Sequence, residues 1–130
     1  MALNPQYEAI GKGFVQQYYA LFDDPTQRQN LVNMYNVELS FMTFEGVQLQ
    51  GSVKIMEKLN ALTFQKINRI ITAVDSQPMF DGGVLINVLG RLQVRFLHSS
   101  SKSHFLPVWL ISQKGPYKVI EDLSALSVIY

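Results

Sequence analysis

The run Val84-Leu85-Ile86-Asn87-Val88-Leu89-Gly90-Arg91-Leu92-Gln93-Val94-Arg95-Phe96-Leu97 decides the architecture. Val84, Ile86, Val88, Leu92, Val94 and Phe96 share one parity, and a mixed set from Leu85 to Arg95 takes the other. Apolar residues at period two, sustained this long, spell a strand with one face in a core. Gly90 falls in the middle, where a bulge or bend would curve so long a strand. Immediately upstream, Asp81-Gly82-Gly83 supplies turn chemistry, and residues 64–77 read as a second long strand, so the two form a hairpin. Downstream, His98-Ser99-Ser100-Ser101-Lys102-Ser103 reads as a polar link into a strand from Phe105 to Gln113. Lys114-Gly115-Pro116 then turns into a last strand from Tyr117 to about Ser127.

Upstream of the hairpin the period is helical. Asn4-Pro5 is a helix start, because Asn accepts from orphan amides and Pro at the first position loses nothing by lacking its own. Tyr7, Ile10, Phe14, Tyr18 and Leu21 follow at helical spacing, and Asp23-Asp24-Pro25 ends the stripe. A short second helix carries Leu31, Val32, Met34 and Tyr35. From Leu39 to Gln50 come β-like runs broken at Gly46 and Gly51, and Ser52 caps a third helix bearing Ile55, Met56, Leu59 and Leu62. Helices first and a meander afterwards give an α+β domain over residues 1–130, about three helices on one face of a curved antiparallel sheet. The Phe105 strand is apolar on both parities (Phe105, Trp109, Ile111; Leu106, Val108, Leu110). Helices cover one side only, so the other side is an interface, expected to be homodimeric.

Composition narrows the function. The 130 residues are 48% hydrophobic and 16% charged, enough for a core and too apolar for disorder. With Cys 0 there is no disulfide frame, thiolate zinc site or thiol nucleophile. Eleven Lys and Arg against ten acids leave a net charge of +1, without the basic field that nucleic-acid binding needs. The charge is nonetheless uneven, −2 over residues 1–60 and +3 over 61–130. No apolar run approaches the ~20 residues of a membrane span, and no signal peptide opens the chain, so the expectation is an intracellular protein without membrane insertion.

Catalytic constellations are scarce. His98 and His104 flank the serine-rich stretch with no carboxylate or cysteine nearby to complete a metal set. No Gly-x-Ser-x-Gly elbow occurs. Gly11-x-Gly13 lies inside a helix, so it reads as a close helix–sheet contact and not as a phosphate cradle. Glu45 after Met42-Thr43-Phe44, and Asp122 between Ile120 and Leu123, are carboxylates in apolar company. Each could be a proton-transfer base, half of an intermolecular ion pair, or an ordinary strand-end acid.

The chain resembles the nuclear transport factor 2 family. The matching residues are Phe14-Val15-Gln16-Gln17-Tyr18-Tyr19 with Leu21-Phe22-Asp23, Met42-Thr43-Phe44-Glu45-Gly46, and Gln50-Gly51. The match continues through Ile55-Met56-Glu57-Lys58-Leu59, Leu62-Thr63-Phe64-Gln65-Lys66-Ile67, Ile71-Thr72 and Asp75-Ser76-Gln77-Pro78. The resemblance implies a cone of helices on a strongly bent sheet, pairing of two copies through their sheets, and a deep apolar cavity. It implies a carrier without enzymatic activity or cofactor, which takes the GDP form of the small GTPase Ran into the nucleus. Transit is through weak contacts with phenylalanine-glycine repeat nucleoporins, and the location is cytoplasm and nucleus with enrichment at the pore. Carried over residue by residue, Glu45 makes the Ran ion pair, and Phe44, Leu62, Ile67, Leu123 and Leu126 wall the cavity. Tyr7 and Asp23 form the nucleoporin-repeat site, with Tyr7 where the family commonly has Trp.

Two departures bear on that reading. The family's acidic loop after Gly90-Arg91-Leu92 is replaced by Val94-Arg95-Phe96-Leu97-His98-Ser99, and no acid lies between Asp81 and Glu121. Ser124 stands where the family has a bulky aromatic. These favour, as an alternative, a scaffold subunit that pairs with another protein, as in messenger-RNA export heterodimers, without binding Ran. A cavity enzyme of the isomerase or dehydratase type is the remaining alternative. The parts played by Arg69, Arg91 and Arg95 stay open in the sequence.

Overall fold

The computed structural model describes residues 3, 5–44, 46–61, 66–80, 82–95, 100–105, 107–112, 118–124 and 126–128. Helix α1 spans Tyr7–Phe22, a 3-10 helix Arg28–Met34, and α2 Ser52–Asn60. Eight strands follow one another as β1 (Phe41–Phe44), β2 (Val47–Gln50), β3 (Lys66–Pro78), β4 (Val84–Arg95), β5 (Ser100–Phe105), β6 (Val108–Ile111), β7 (Val119–Ser124) and β8 (Leu126–Val128). They form one sheet in the order β2-β1-β7-β6-β4-β5-β8, with β3 on the other edge of β4. The pairings are antiparallel as expected, except that β1 runs parallel to β7.

The long hairpin stands as the alternation requires. Val84, Ile86, Val88 and Leu92 are buried, while Asn87, Arg91 and Gln93 are exposed. The expected bulge lies on the partner strand. Register slips between Ile71 and Ala73, so Thr72 is the extra residue, facing the Gly90–Leu89 step. There β4 also changes neighbours, pairing β6 through Val84–Asn87 and β5 through Gly90–Arg95. The Val88 amide donates to Pro107 O at 3.1 Å between the two. The bulge, Gly90, the break between β5 and β6 and the break between β7 and β8 lie along one line across the sheet, and the sheet bends there.

Several local expectations need correction. Ser100–Phe105 is a strand, not a link: a Ser/Lys/Ser alternation carries no hydrophobic signal, but its main chain completes the ladder to β4. His104 is therefore a strand residue opposite Arg91. The apolar strand beyond it starts at Val108, and the last strand is two, β7 and β8, which join different neighbours. Gln6, not Asn4, is the N-cap position of α1, and Asn4 lies outside the described residues. Gly51, at φ 88°, precedes α2 in the cap position given to Ser52, because a Cβ there would sit 2.8 Å from Val37 O. Leu62 lies outside the described residues.

The buried face of α1 is Gly11, Phe14, Val15, Tyr18 and Tyr19, rotated from the stripe the spacing suggests. Ile10 and Leu21 are half-buried beside a groove of about 690 Å³ between α1, the 3-10 helix and Lys118. The rings of Phe14, Tyr18 and Tyr19 enclose Trp109, with centroids 5.5, 4.8 and 5.5 Å away. Tyr18 and Tyr35 join hydroxyls at 2.6 Å within this core.

Of the two helical glycines only Gly11 makes the close helix–sheet contact. A Cβ on it would stand 1.9 Å from Ser76 Oγ and 3.0 Å from Ser76 Cβ, whereas a Cβ on Gly13 would meet nothing within 4 Å. Gly11→Ala is therefore expected to lower stability by about 1 to 3 kcal/mol through overpacking. Gly13→Ala should raise it by about 0.5 to 1 kcal/mol through helix propensity. Urea unfolding of the two variants checks the pair, and equal effects would contradict the contact.

Candidate functional site

At the carboxyl end of α1 the chain builds a charged cluster on aromatic faces. Asp23 closes the helix, its amide donating to Tyr19 O at 2.9 Å, and its carboxylate receives Arg69 from β3 in a two-pronged pair. Arg69 Nε is 2.9 Å from Asp23 Oδ2, and the second guanidinium nitrogen is 2.8 Å from Oδ1. The guanidinium carbon lies 3.7 Å from the Tyr19 ring centroid and 5.5 Å from that of Phe22. The Arg69 side chain is only 7% exposed. Arg69 is thus an internal clamp between β3 and α1, which answers the question left open by the sequence.

Next to it, Arg28 donates from Nε to Phe22 O at 2.8 Å, satisfying one of the last helix carbonyls. Its guanidinium also lies 5.2 Å from the Phe22 ring centroid. Burial pulls the Arg28 pKa down, opposed by the charges of Asp23 and Asp24. The Asp24 carboxyl is held below its ordinary value by hydrogen bonds from the Thr26 hydroxyl and amide, at 2.7 and 2.9 Å. An open depression of about 470 Å³ borders this cluster, lined by Gln16, Tyr19, Ala20, Asp23, Arg69 and Ile71.

Tyr7 lies elsewhere. It borders a polar crease with Glu8 and Lys12 of α1 and Asp75, Ser76 and Gln77 of β3. Tyr7 and Asp23 are sixteen residues apart on one helix, so about 24 Å separates them along its axis. Within one protomer the structure does not bring this expected pair together.

The cavity residues fall along the bent sheet. Phe44 ends β1, is buried, and has Lys58 Nζ of α2 5.3 Å from its ring centroid. Its register partner in β7 is Ser124, and Met42 is level with Asp122. Asp122 is in turn level with Trp109, so the candidate carboxylate shares the alternation of two buried residues. Leu123 has the other parity, level with Thr43 and Val108. Leu126 pairs with Phe105, and half-buried Ile67 pairs with Val94. Glu45 and Leu62 lie outside the described residues.

The face of the sheet away from the helices has two zones. On one side of the bulge its alternation holds Leu85, Leu89, Val108 and Leu110, none of them buried, Leu89 being 41% exposed, bordered by exposed Asp75, Gln77 and Asn87 and by the Glu121 position level with Leu110. Leu123 joins this set by register. Among the described residues no group of three or more His, Cys, Asp or Glu could hold a metal ion. No helix among them is long and apolar enough to cross a membrane.

Helices on one face of a strongly bent sheet, with half-buried and exposed leucines and valine on the other, define an α+β cone domain. The profile of the nuclear transport factor 2 domain matches residues 10–126. Nuclear transport factor 2 of Saccharomyces cerevisiae is 37% identical over 123 residues, covering 93% of this chain and 94% of that one. Nuclear transport factor 2B of Arabidopsis thaliana is 36% identical over 125 residues, covering 92% and 94%. The solved structure of nuclear transport factor 2 from Cryptosporidium parvum superposes with a TM-score of 0.84 at 35% identity, covering 98% and 99% of the two chains. A hexachlorocyclohexane dehydrochlorinase superposes with a TM-score of 0.75 at 9% identity over 95% and 89%, a likeness of fold alone. The chain belongs to the nuclear transport factor 2 domain family.

Proposed function

We propose that this protein is a nuclear transport carrier that works as a homodimer, binds the GDP form of Ran, and crosses pores by weak contacts with phenylalanine-glycine repeats. The observation that carries the reading is identity of more than a third over nearly the whole length to proteins named for nuclear transport. Those names support a non-enzymatic role and residence in cytoplasm and nucleus, to which the reading adds enrichment at the pore. The apolar zone at Leu85, Val108 and Leu110 supports pairing through the sheets. For Ran, the reading assigns an incoming aromatic to a cavity walled by Phe44, Leu62, Ile67 and Leu126, with Glu45 as the orienting charge. The parity of Leu123 fits the dimer face better than that wall. For the repeats it assigns Tyr7 and Asp23, and the axial distance between them implies that they serve separate contacts or contacts shared across two protomers.

Calorimetric titration with Ran in its GDP and GTP forms tests this reading. Binding to the GDP form alone is expected, weakened at least tenfold by Glu45→Lys, since reversing a rim charge turns attraction into repulsion (about 1.4 kcal/mol or more). No binding to either form would sink the carrier reading. It would leave the scaffold reading, a subunit paired with a different protein, which the absence of acids between Asp81 and Glu121 favours.

A further inference from the structure

Beyond the bulge, the outward alternation of the sheet changes character. In β3 it holds Lys66, Asn68 and Ile70, and in β4 it holds Arg95, Gln93 and Arg91. The β5 positions in register are Ser100, Lys102 and His104. Of these nine, Asn68, Ile70, Arg91 and Gln93 are exposed. The opposite parity is the covered one, with Leu92 buried and Arg69 enclosed against α1. Three adjacent strands thus place Lys66, Arg91, Arg95, Lys102 and His104 on one outward face, and none of the nine positions is acidic.

Strand geometry sets the scale. Adjacent strands are about 4.8 Å apart and alternate residues about 6.6 Å apart, so the basic positions occupy roughly 10 by 13 Å. Four Lys and Arg positions share that face, Arg91 being exposed, so the field there is positive and costly to hold, and the sequence from Gly82 to Ile120 contains no carboxylate to offset it. An opposite charge from outside lowers that energy.

We infer that this end of the outer sheet face is a docking surface for an acidic, carboxylate-rich segment of a protein partner. The face offers charge to a polypeptide and little to a nucleic acid. None of its nine positions is a Phe, Tyr or Trp that would give bases a broad stacking platform, and the whole chain carries a net charge of only +1. Ile70, 58% exposed among the basic positions, gives an apolar residue of the segment a place to rest. The surface lies across the bulge from the apolar zone at Leu85 and Leu110, so the two zones are separate stretches of one sheet face. The inference stands whether or not Ran is the cargo.

The test is fluorescence anisotropy of a labelled octaglutamate peptide titrated with the full chain at low and at physiological ionic strength. Octalysine and a twelve-nucleotide single-stranded RNA are the comparison probes. Saturable binding of octaglutamate is expected, weaker at higher salt. It should be reduced roughly tenfold or more by the double substitution Arg91→Glu and Arg95→Glu, and retained by Arg91→Lys with Arg95→Lys. Amide shifts on adding the peptide should centre on Arg91, Gln93 and Asn68, which reads out the site without any substitution. Absence of binding at low salt, indifference to the charge reversal, shifts centred elsewhere, or tighter binding of the RNA would each overturn the inference.

Discussion

Asp23→Ala is expected to cost about 2 to 4 kcal/mol of stability, before any effect on a partner is considered. The reason is the state in which it leaves Arg69. That side chain is 7% exposed, and its guanidinium points both hydrogen-bonding prongs at the Asp23 carboxylate. Removing the acid takes both carboxylate oxygens from a largely buried cation that stacks on the Tyr19 and Phe22 rings. Breaking one side of such a pair is much costlier than replacing both, because the remaining charge keeps its desolvation penalty. Asp23→Ala with Arg69→Met should therefore recover most of the loss, the methionine packing on Tyr19 where the guanidinium stacked. Urea unfolding of the two singles and the double closes the cycle, and strict additivity would show the pair to be worth nothing. The consequence for function is direct. Loss of repeat binding on substituting Asp23 counts as a binding effect only if the double variant, folded but without the acid, loses it as well.

That pair shows where the sequence stops being readable. Asp23 and Arg69 are 46 residues apart, and no periodicity joins them. Their meeting depends on α1 lying across β3, the same packing that places Gly11 against Ser76. The β3–β4 hairpin was legible because one face of it is buried, so hydrophobic alternation and structure are the same fact stated twice. Strand β5 was not, because a strand held by its main chain needs no apolar period, and Ser100–Ser103 have none. The bend was half legible. Gly90 marks its place, but the bulge that produces it lies at Thr72, which nothing in its neighbourhood distinguishes. Within the candidate cavity, Phe44 and Leu123 both read as wall residues. Their opposite parity follows from the parallel pairing of β1 with β7, and a pairing between residues eighty positions apart leaves no local trace.

The same parity argument leads to the second large effect, that Leu85→Glu should convert the proposed homodimer to monomers. Leu85 is half-buried on the outward alternation of β4, with Leu110 directly beside it on β6 and Gln77 on β3. In the monomer this position faces away from the core, and the buried parity of Val84 and Ile86 is untouched, so the fold should survive with little loss. In a two-fold interface built on this zone every substitution enters twice. Two carboxylates would then be desolvated, each costing on the order of 2 kcal/mol or more, so the dimer should associate roughly a thousandfold more weakly than the parent, or worse. Sedimentation equilibrium reads the change directly. Arg91→Glu is the matched control, since it places a carboxylate on the same outward parity but across the bulge, in the basic zone, where the dimer should persist. A Leu85→Glu protein that sediments as a dimer would remove the apolar zone from the interface. Two sheets would then have to meet elsewhere, and the bare face at Leu85, Val108 and Leu110 would need another occupant.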